Sequence, residues 1–408
     1  LIGTSSWMRG GNNISWPRKE VDFKFIGEGN IQVEITNSDK IEEEFFSYSN
    51  KFISSANLLA EHALSSNEIR KKDMWIFGIV YLYRQSIELL LKSIVFQYVT
   101  DKAKQKEFIE KARHDLRQAY HEVEKHIEEK EFAPNKDENE WLSKYLEDIS
   151  YLDEHSDMFR YPFTTNMKAF FTKQIHINLK ALVTNMNTAY QILLDIFRKI
   201  KRNIKIEYKP LFLLSDGVYE EQSVIWKGNN FYPYIEGYMD CANYLYNLIE
   251  DKKRYHLFLP MCYLYRNGIE LALKRILVED CQLDLKTAIK KLKGKHSIVR
   301  LWNAIKDHIK SRSSASDDQE VLVNVGIYIE QLHNIDSSSS RFRYPVDKNL
   351  NMHFAKKMKL DISNVSLCFN ELFTFLDAVD GMLSHQNEIL AEMAWEAQQS
   401  QDFDYDRY

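Results

Sequence analysis

Between Trp75 and Tyr98 the chain is apolar at nearly every position. The charged exceptions, Arg84, Glu88 and Lys92, fall at i, i+4 and i+8. That spacing puts all three on one face of a helix whose other faces are apolar, the pattern of a helix buried on most sides. A 3.6-residue periodicity also predicts amphipathic helices from Phe45 to Leu64, from His114 to about Lys130, from Trp141 to about Leu152 and from Ile177 to Lys201. Helix starts are marked by Asp39 with Glu42, by Asn135 with Glu138 and by Ser316 with Gln319. Proline in Phe159-Arg-Tyr-Pro162 breaks the helical pattern. Two stretches alternate instead. Val21 to Phe25 and Ile31 to Ile35 flank a Gly27–Asn30 turn and read as a β-hairpin. Ile204–Tyr208, Leu211–Leu214 and Val224–Trp226 read as short strands, a β insert placed to pair with that hairpin.

The second half repeats the first. Tyr81-Leu-Tyr-Arg-Gln-Ser-Ile-Glu-Leu-Leu-Leu-Lys92 returns as Tyr263-Leu-Tyr-Arg-Asn-Gly-Ile-Glu-Leu-Ala-Leu-Lys274, with Arg266, Glu270 and Lys274 in register. Arg266 follows Arg84 by 182 positions, and His296 follows His114 by the same interval. Phe342-Arg-Tyr-Pro345 follows Phe159-Arg-Tyr-Pro162 by 183. A period this long indicates duplicated domains rather than a solenoid of short units.

Composition narrows this picture. A chain of 408 residues with 13 Gly and 7 Pro has few breakpoints, which favours long helices. The net charge of −5 gives no global attraction to nucleic acid, so any such contact must come from a local patch. The four cysteines, 241, 262, 281 and 368, form no CxxC pair, so neither a disulfide framework nor a zinc site is expected. A reducing, cytoplasmic setting fits them. The charges inside the longest apolar run argue for a core helix rather than a membrane span. No metal or cofactor is expected. The chain opens on Leu1, with Met8 as a candidate native start.

The repeated polar residues are the candidates for chemistry. Arg84–Glu88–Lys92 and Arg266–Glu270–Lys274 read either as salt ladders or as stripes facing an interface, because unpaired buried charge is costly. His114 and His296 each open a helix behind a basic run, Lys111 and Arg113 in one case, Lys293 and Lys295 in the other. They read as helix-start residues, or as a general base or phosphate contact within a basic rim. His114-Asp115 suggests a metal phosphohydrolase, but its counterpart is His296-Ser297. Arg160 and Arg343 precede Tyr161-Pro and Tyr344-Pro, suited either to a helix end or to phosphate recognition.

Three elements recur in order in both halves: Arg-x-x-Ile-Glu-x-x-x-Lys, a helix opened by His-Asp-Leu or His-Ser-Ile, and Arg-Tyr-Pro. Together they resemble the HEPN superfamily over about 45–200 and 235–395. The resemblance implies antiparallel bundles of four or five helices that dimerise. Many members are metal-independent endoribonucleases of toxin–antitoxin and phage-defence systems, with an active Arg followed four to six residues later by His. Neither Arg160 nor Arg343 has a His at that distance; His353 lies too far on and has no counterpart in the first half.

The expectation is therefore a mainly α protein: a β-hairpin arm (1–38), a first HEPN-like bundle (39–203), a β-rich linker (204–229), a second bundle (230–395) and an acidic tail (396–408), with helix continuing after about Ser384 and an end, Asp402–Tyr408, that is disordered or partner-docking. The two bundles would form an internal pseudo-dimer, with further homo-oligomerisation open. Its function would be that of an RNA-directed defence or toxin protein, with a rebuilt site using His114 and His296 as acid and base and Arg160 and Arg343 to stabilise the phosphorane. The alternative is a non-catalytic scaffold or sensor that binds a protein partner from the same system. In both, Arg84, Glu88, Lys92, Arg266, Glu270, Lys274, Tyr161 and Tyr344 frame the site or the interface. The catalytic reading asks that the histidines and arginines converge on one open basic cleft.

Overall fold

The computed structural model of the chain describes residues 16–405 apart from 67, 229, 294–295 and 314–317, with backbone alone at 318–319 and 400–405. The Met8 start, the Ser316–Gln319 helix start and Lys295 fall outside the described residues. The chain is mainly helical. Strand β1 (Gln32–Ile35) leads into α1 (Ile41–Ser65), α2 (Ile69–Tyr98), α3 (Lys102–Ala112), α4 (Leu116–Ile127) and α5 (Lys136–Leu152). Strand β2 (Ile175–Asn178) and α6 (Leu179–Arg198) close the first half. The second half follows with β3 (Gln222–Ile225), α7 (Tyr232–Lys252), α8 (Phe258–Arg275), a π-helical turn Ile276–Asp280, α9 (Leu285–Leu292), α10 (Ile298–Arg312), α11 (Asp318–Ile335), β4 (Met358–Asp361) and α12 (Ile362–Tyr405).

The helix boundaries follow local chemistry. Asn135 and Glu138 form the reciprocal cap expected at the start of α5. Asp39 does not cap α1. Glu44 instead accepts from the Ser38 amide and the Asn37 side chain, and Glu42, Glu43 and Glu44 occupy the first turn, where the helix dipole favours negative charge. Asp115 and Ser297 are the N-caps of α4 and α10, accepting from the amides of Gln118 and Arg300. Capping explains why Asp and Ser exchange at this place in the repeat, and it removes any need for a metal reading of His114-Asp115.

The β segments differ from the hairpin expected at the N-terminus. Residues 21–25 form turns, and β1 pairs antiparallel with β4 of the second half. The segment 204–221 holds no strand, and β3 pairs antiparallel with β2 of the first half rather than with the N-terminal arm. Each half's leading strand thus crosses to the strand that precedes the other half's last helix. Isolated strands of four residues cannot stand alone, so each exchange ties the halves together. Helix α12 continues past Ser384 as expected and runs on to Tyr405, into the end expected to be disordered or partner-docking; residues 406–408 lie outside the described residues.

The core is continuous across the two halves. Helix α7 packs on α2, where Phe77 stacks on Tyr234 with ring centroids 3.8 Å apart. The Tyr234 and Tyr238 hydroxyls donate to the carbonyls of Met158 and Phe159. At the centre Tyr81 and Tyr263, equivalent residues of the two repeats, stack on each other at 4.7 Å.

Candidate functional site

The charged stripe of α2 is buried: Arg84, Glu88 and Lys92 are 1%, 1% and 3% exposed. Its burial is tolerable because the stripe is saturated with partners. Lys92 Nζ lies 2.6 Å from Glu88 Oε1, and Arg84 Nη1 3.4 Å from Oε2. Arg84 also donates to the carbonyls of His114 and Asp153, and its Nε lies 3.4 Å from the Asp153 carboxylate. His114 Nδ1 approaches Glu88 Oε2 at 3.2 Å. The remaining donor comes from the other half: the Tyr344 hydroxyl donates to Glu88 Oε1 at 2.7 Å.

The second copy repeats this arrangement around Glu270, but among the described residues Arg266 has no counterpart of the Arg84–Asp153 contacts, and its Nε is buried without a hydrogen-bond partner. Lys274 and Arg266 bind Glu270 at 2.7 and 3.1 Å, Arg266 donates to the His296 carbonyl, and His296 Nδ1 lies 3.0 Å from Glu270 Oε1. Tyr161 of the first half donates to Glu270 at 2.9 Å and lies 3.0 Å from His296 Nδ1. The Lys274 ammonium stands 3.9 Å from the centre of the Tyr161 ring.

The Tyr161 and Tyr344 loops are rigid for a local reason. Asp153 and Asp336 each accept two backbone amides of the following turn, and Ser156 and Ser339 adopt positive φ of 61° and 58° within it. Met167 and Leu350, again 183 apart, have φ of 61° and 62° in the loops beyond. Asp153, Asp336 and the Tyr81–Tyr263 stack escaped the sequence reading, although the same offsets of 182 and 183 mark them.

Arg160 and Arg343 are buried on either side of that stack. Arg160 donates to the Tyr161 hydroxyl at 2.8 Å and lies over the Tyr81 ring. Arg343 donates to the Tyr81 hydroxyl at 3.2 Å and to the Ser339 carbonyl, and lies over the Tyr263 ring. These guanidiniums position tyrosines and do not face solvent, so they are not placed to meet a scissile phosphate. Instead of one open basic cleft there are two equivalent clusters, joined through the buried arginines and tyrosines. Only the histidines open outward, with side chains 36% and 32% exposed. Among the described residues no hydrogen bond engages Nε2 of either. Lys111, Arg113 and Lys293 are exposed on the neighbouring chain. Two surface grooves of about 540 and 810 Å³ lie elsewhere and include neither histidine.

The electrostatics favour a neutral imidazole beside an ionised carboxylate. Burial opposes charge on Glu88, but Lys92, His114 and Arg84 outweigh it and hold the carboxyl well below its ordinary range; Glu270 behaves alike. Glu88 draws the His114 pKa upward, yet burial with Lys92 and Arg84 prevails and the net shift is down. For His296 burial is the largest influence; with Arg160 and Lys274 it outweighs Glu270, and the shift is again down. Because the folded pKa lies below the ordinary 6.5, the unfolded chain takes the proton first on acidification. The stabilising contribution is whole above about pH 6.5 and is lost as pH falls from there through the depressed folded pKa. The melting temperature is expected to drop between pH 7 and 5, and to drop less in a His114→Gln/His296→Gln variant. Equal slopes in the two proteins would refute the pair's contribution.

Among the described residues no group of three or more His, Cys, Asp or Glu is arranged to hold a metal, and no helix is long and apolar enough to cross a membrane. Compared with known proteins, the chain matches no family model, no curated protein and no solved structure.

Proposed function

We propose that this chain is an RNA-directed protein of a bacterial defence or toxin system, cytoplasmic, built of two HEPN-like bundles closed into an internal pseudo-dimer, and that, in place of the single open cleft the catalytic reading asked for, each half cleaves RNA without a metal at its own histidine, His114 or His296. One observation carries the reading: in both halves a buried glutamate holds His Nδ1 while the other edge of the ring is open. A neutral histidine so oriented is equipped to accept a proton at Nε2. The proton comes from a ribose 2′-hydroxyl; its oxygen attacks the adjacent phosphorus, and the departing 5′-oxygen takes a proton from solvent. Lys111, Arg113, Lys293 and Lys295 hold the RNA phosphates. Arg160 and Arg343 act through Tyr161 and Tyr344 as positioning residues. The reciprocal tyrosines and exchanged strands support a pseudo-dimer in which neither cluster is complete within its own half.

A second reading, a non-catalytic scaffold or sensor for a protein partner, is favoured by the sealed arginines and the closed charge network. Incubation with RNA in a chelator separates the two. Cleavage by the wild type, reduced at least about 100-fold in the His114→Gln/His296→Gln variant, is the expected result. Undiminished cleavage by the variant removes these histidines from the mechanism. RNA bound but never cut by a folded wild type favours the scaffold.

A further inference from the structure

Away from the duplicated clusters, the π-helical turn that ends α8 packs against α12 and brings a second set of acidic groups inside the protein. Asp280, the last residue of the turn, is 4% exposed, and Asp380 of α12 is 7% exposed. Only one of the two is ion-paired: Arg275 Nη2 lies 2.9 Å from Asp380 Oδ2, while its Nε is taken by Glu279 at 3.0 Å. Asp280 Oδ2 and Asp380 Oδ1 are buried without any hydrogen-bond donor among the described residues. Two ionised carboxylates in contact, with only one of them ion-paired, repel each other strongly out of water. A proton supplies what both bare oxygens lack, since a carboxylic acid is a donor where a carboxylate only accepts.

We propose that Asp280 and Asp380 bind one proton between them at neutral pH, and that this shared proton latches α12 to the end of α8. The position gives it leverage. Asn387 donates to the Asp280 carbonyl and Gln386 to the Arg312 carbonyl, just where α12 leaves the bundle. Beyond them Ile389, Leu390, Met393 and Trp395 are all exposed. The surrounding charges are few and of mixed sign. Glu279 is on the turn, Arg275 on α8 and Asp377 on α12; His308 of α10 lies against the Asp280 backbone, with Arg312 of α10 and Lys291 of α9 near it. Burial is the largest influence on the pair, followed for Asp280 by Asp380, and the Asp280 carboxyl is pushed up to about 8. Its folded pKa lies above its ordinary 3.8, so the folded protein holds the proton longer than the unfolded chain. The contribution to stability is whole below about pH 4, declines as pH rises, and is gone above about pH 8.

Asp280→Asn keeps the shape and fixes the donor permanently. The melting temperature of the full-length Asp280→Asn variant minus that of the wild type is expected to grow as pH is raised from 5 to 8.5 and then level off. Hydrogen exchange in residues 380–390 of the wild type is expected to quicken over the same interval, beyond the intrinsic pH effect, and in Asp280→Asn to follow the intrinsic effect alone. A melting difference independent of pH overturns the shared proton. So does a rise in wild-type melting temperature on adding Mg²⁺ or Ca²⁺ at pH 8.5 that Asp280→Asn lacks, which would make the pair a cation site. A variant too unstable to purify is replaced by wild-type infrared difference spectra: a protonated carboxyl band at pH 7 that fades by pH 9 supports the proposal, and its absence overturns it.

Discussion

Replacing Glu88 by Gln is expected to destabilise the protein by about 3–5 kcal/mol, the cost of breaking a buried ion pair by removing one partner. Glu88 accepts from Lys92, Arg84, His114 and Tyr344 at once, and it is the only carboxylate bound to the buried Lys92 ammonium among the described residues. Arg84 retains Asp153 and two carbonyls, so the loss concentrates on Lys92 and on the reach of Tyr344 from the second half. Denaturant unfolding measures the loss directly. A double-mutant cycle with Tyr344→Phe then isolates the cross-half bond. A coupling energy of about 0.5–3 kcal/mol is expected for residues in one hydrogen-bonded network. Additive effects would mean that Tyr344 and Glu88 are neighbours without being partners. The same cycle on Glu270 and Tyr161 should agree in sign, since Glu270 likewise accepts from Lys274, Arg266 and the tyrosine of the other half.

Gly237→Ala is expected to destabilise the protein as well. Helix α7 crosses α2 so closely here that a Cβ on residue 237 would lie 2.0 Å from the Met74 carbonyl oxygen. That obstacle is backbone, which no rotamer change can clear. Overpacking costs about 1–3 kcal/mol, and the better helix propensity of Ala returns only about 1. A net loss of up to about 2 kcal/mol is expected, with unfolding still cooperative because the two halves share one core. Gly381, in α12 with nothing within 4 Å of its would-be Cβ, provides the opposite sign: Ala there should stabilise by about 0.5–1 kcal/mol. Loss at both positions would point to a general intolerance of helix substitution rather than to the crossing. Asn57 and Asn243, which bind the equivalent hydroxyls of Tyr83 and Tyr265, align α1 with α7 at an offset of 186, so the place of Gly237 on α1 carries Lys51 and no glycine.

Much of the architecture was legible in the residues because it depends on local periodicity. The apolar run around Arg84, Glu88 and Lys92 could only be a buried helix, and its copy around Arg266, Glu270 and Lys274 announced the duplication. The Asn135–Glu138 cap and the break at Pro162 are likewise local devices. The strands were misplaced because a four-residue alternating segment carries no information about its partner. β1 and β3 could satisfy their backbone groups only on β4 and β2, roughly 330 and 50 residues away. The charges of the end Asp402–Tyr408 point to disorder or partner docking, yet the helix running from Ile362 carries on to Tyr405.

For the site, the sequence by itself determined which residues matter and in what register: the glutamates, lysines, arginines, histidines and Arg-Tyr-Pro turns recur at fixed offsets. Only the tertiary structure decided what they do. It sent Tyr161 to Glu270 and Tyr344 to Glu88, because each loop is held by its own aspartate and directed across the centre. It placed Arg160 and Arg343 against the Tyr81–Tyr263 stack, out of solvent, and left the edges of His114 and His296 open. Burial and partnership across the two halves are long-range properties, fixed by how whole helices pack, and no spacing along the chain encodes them.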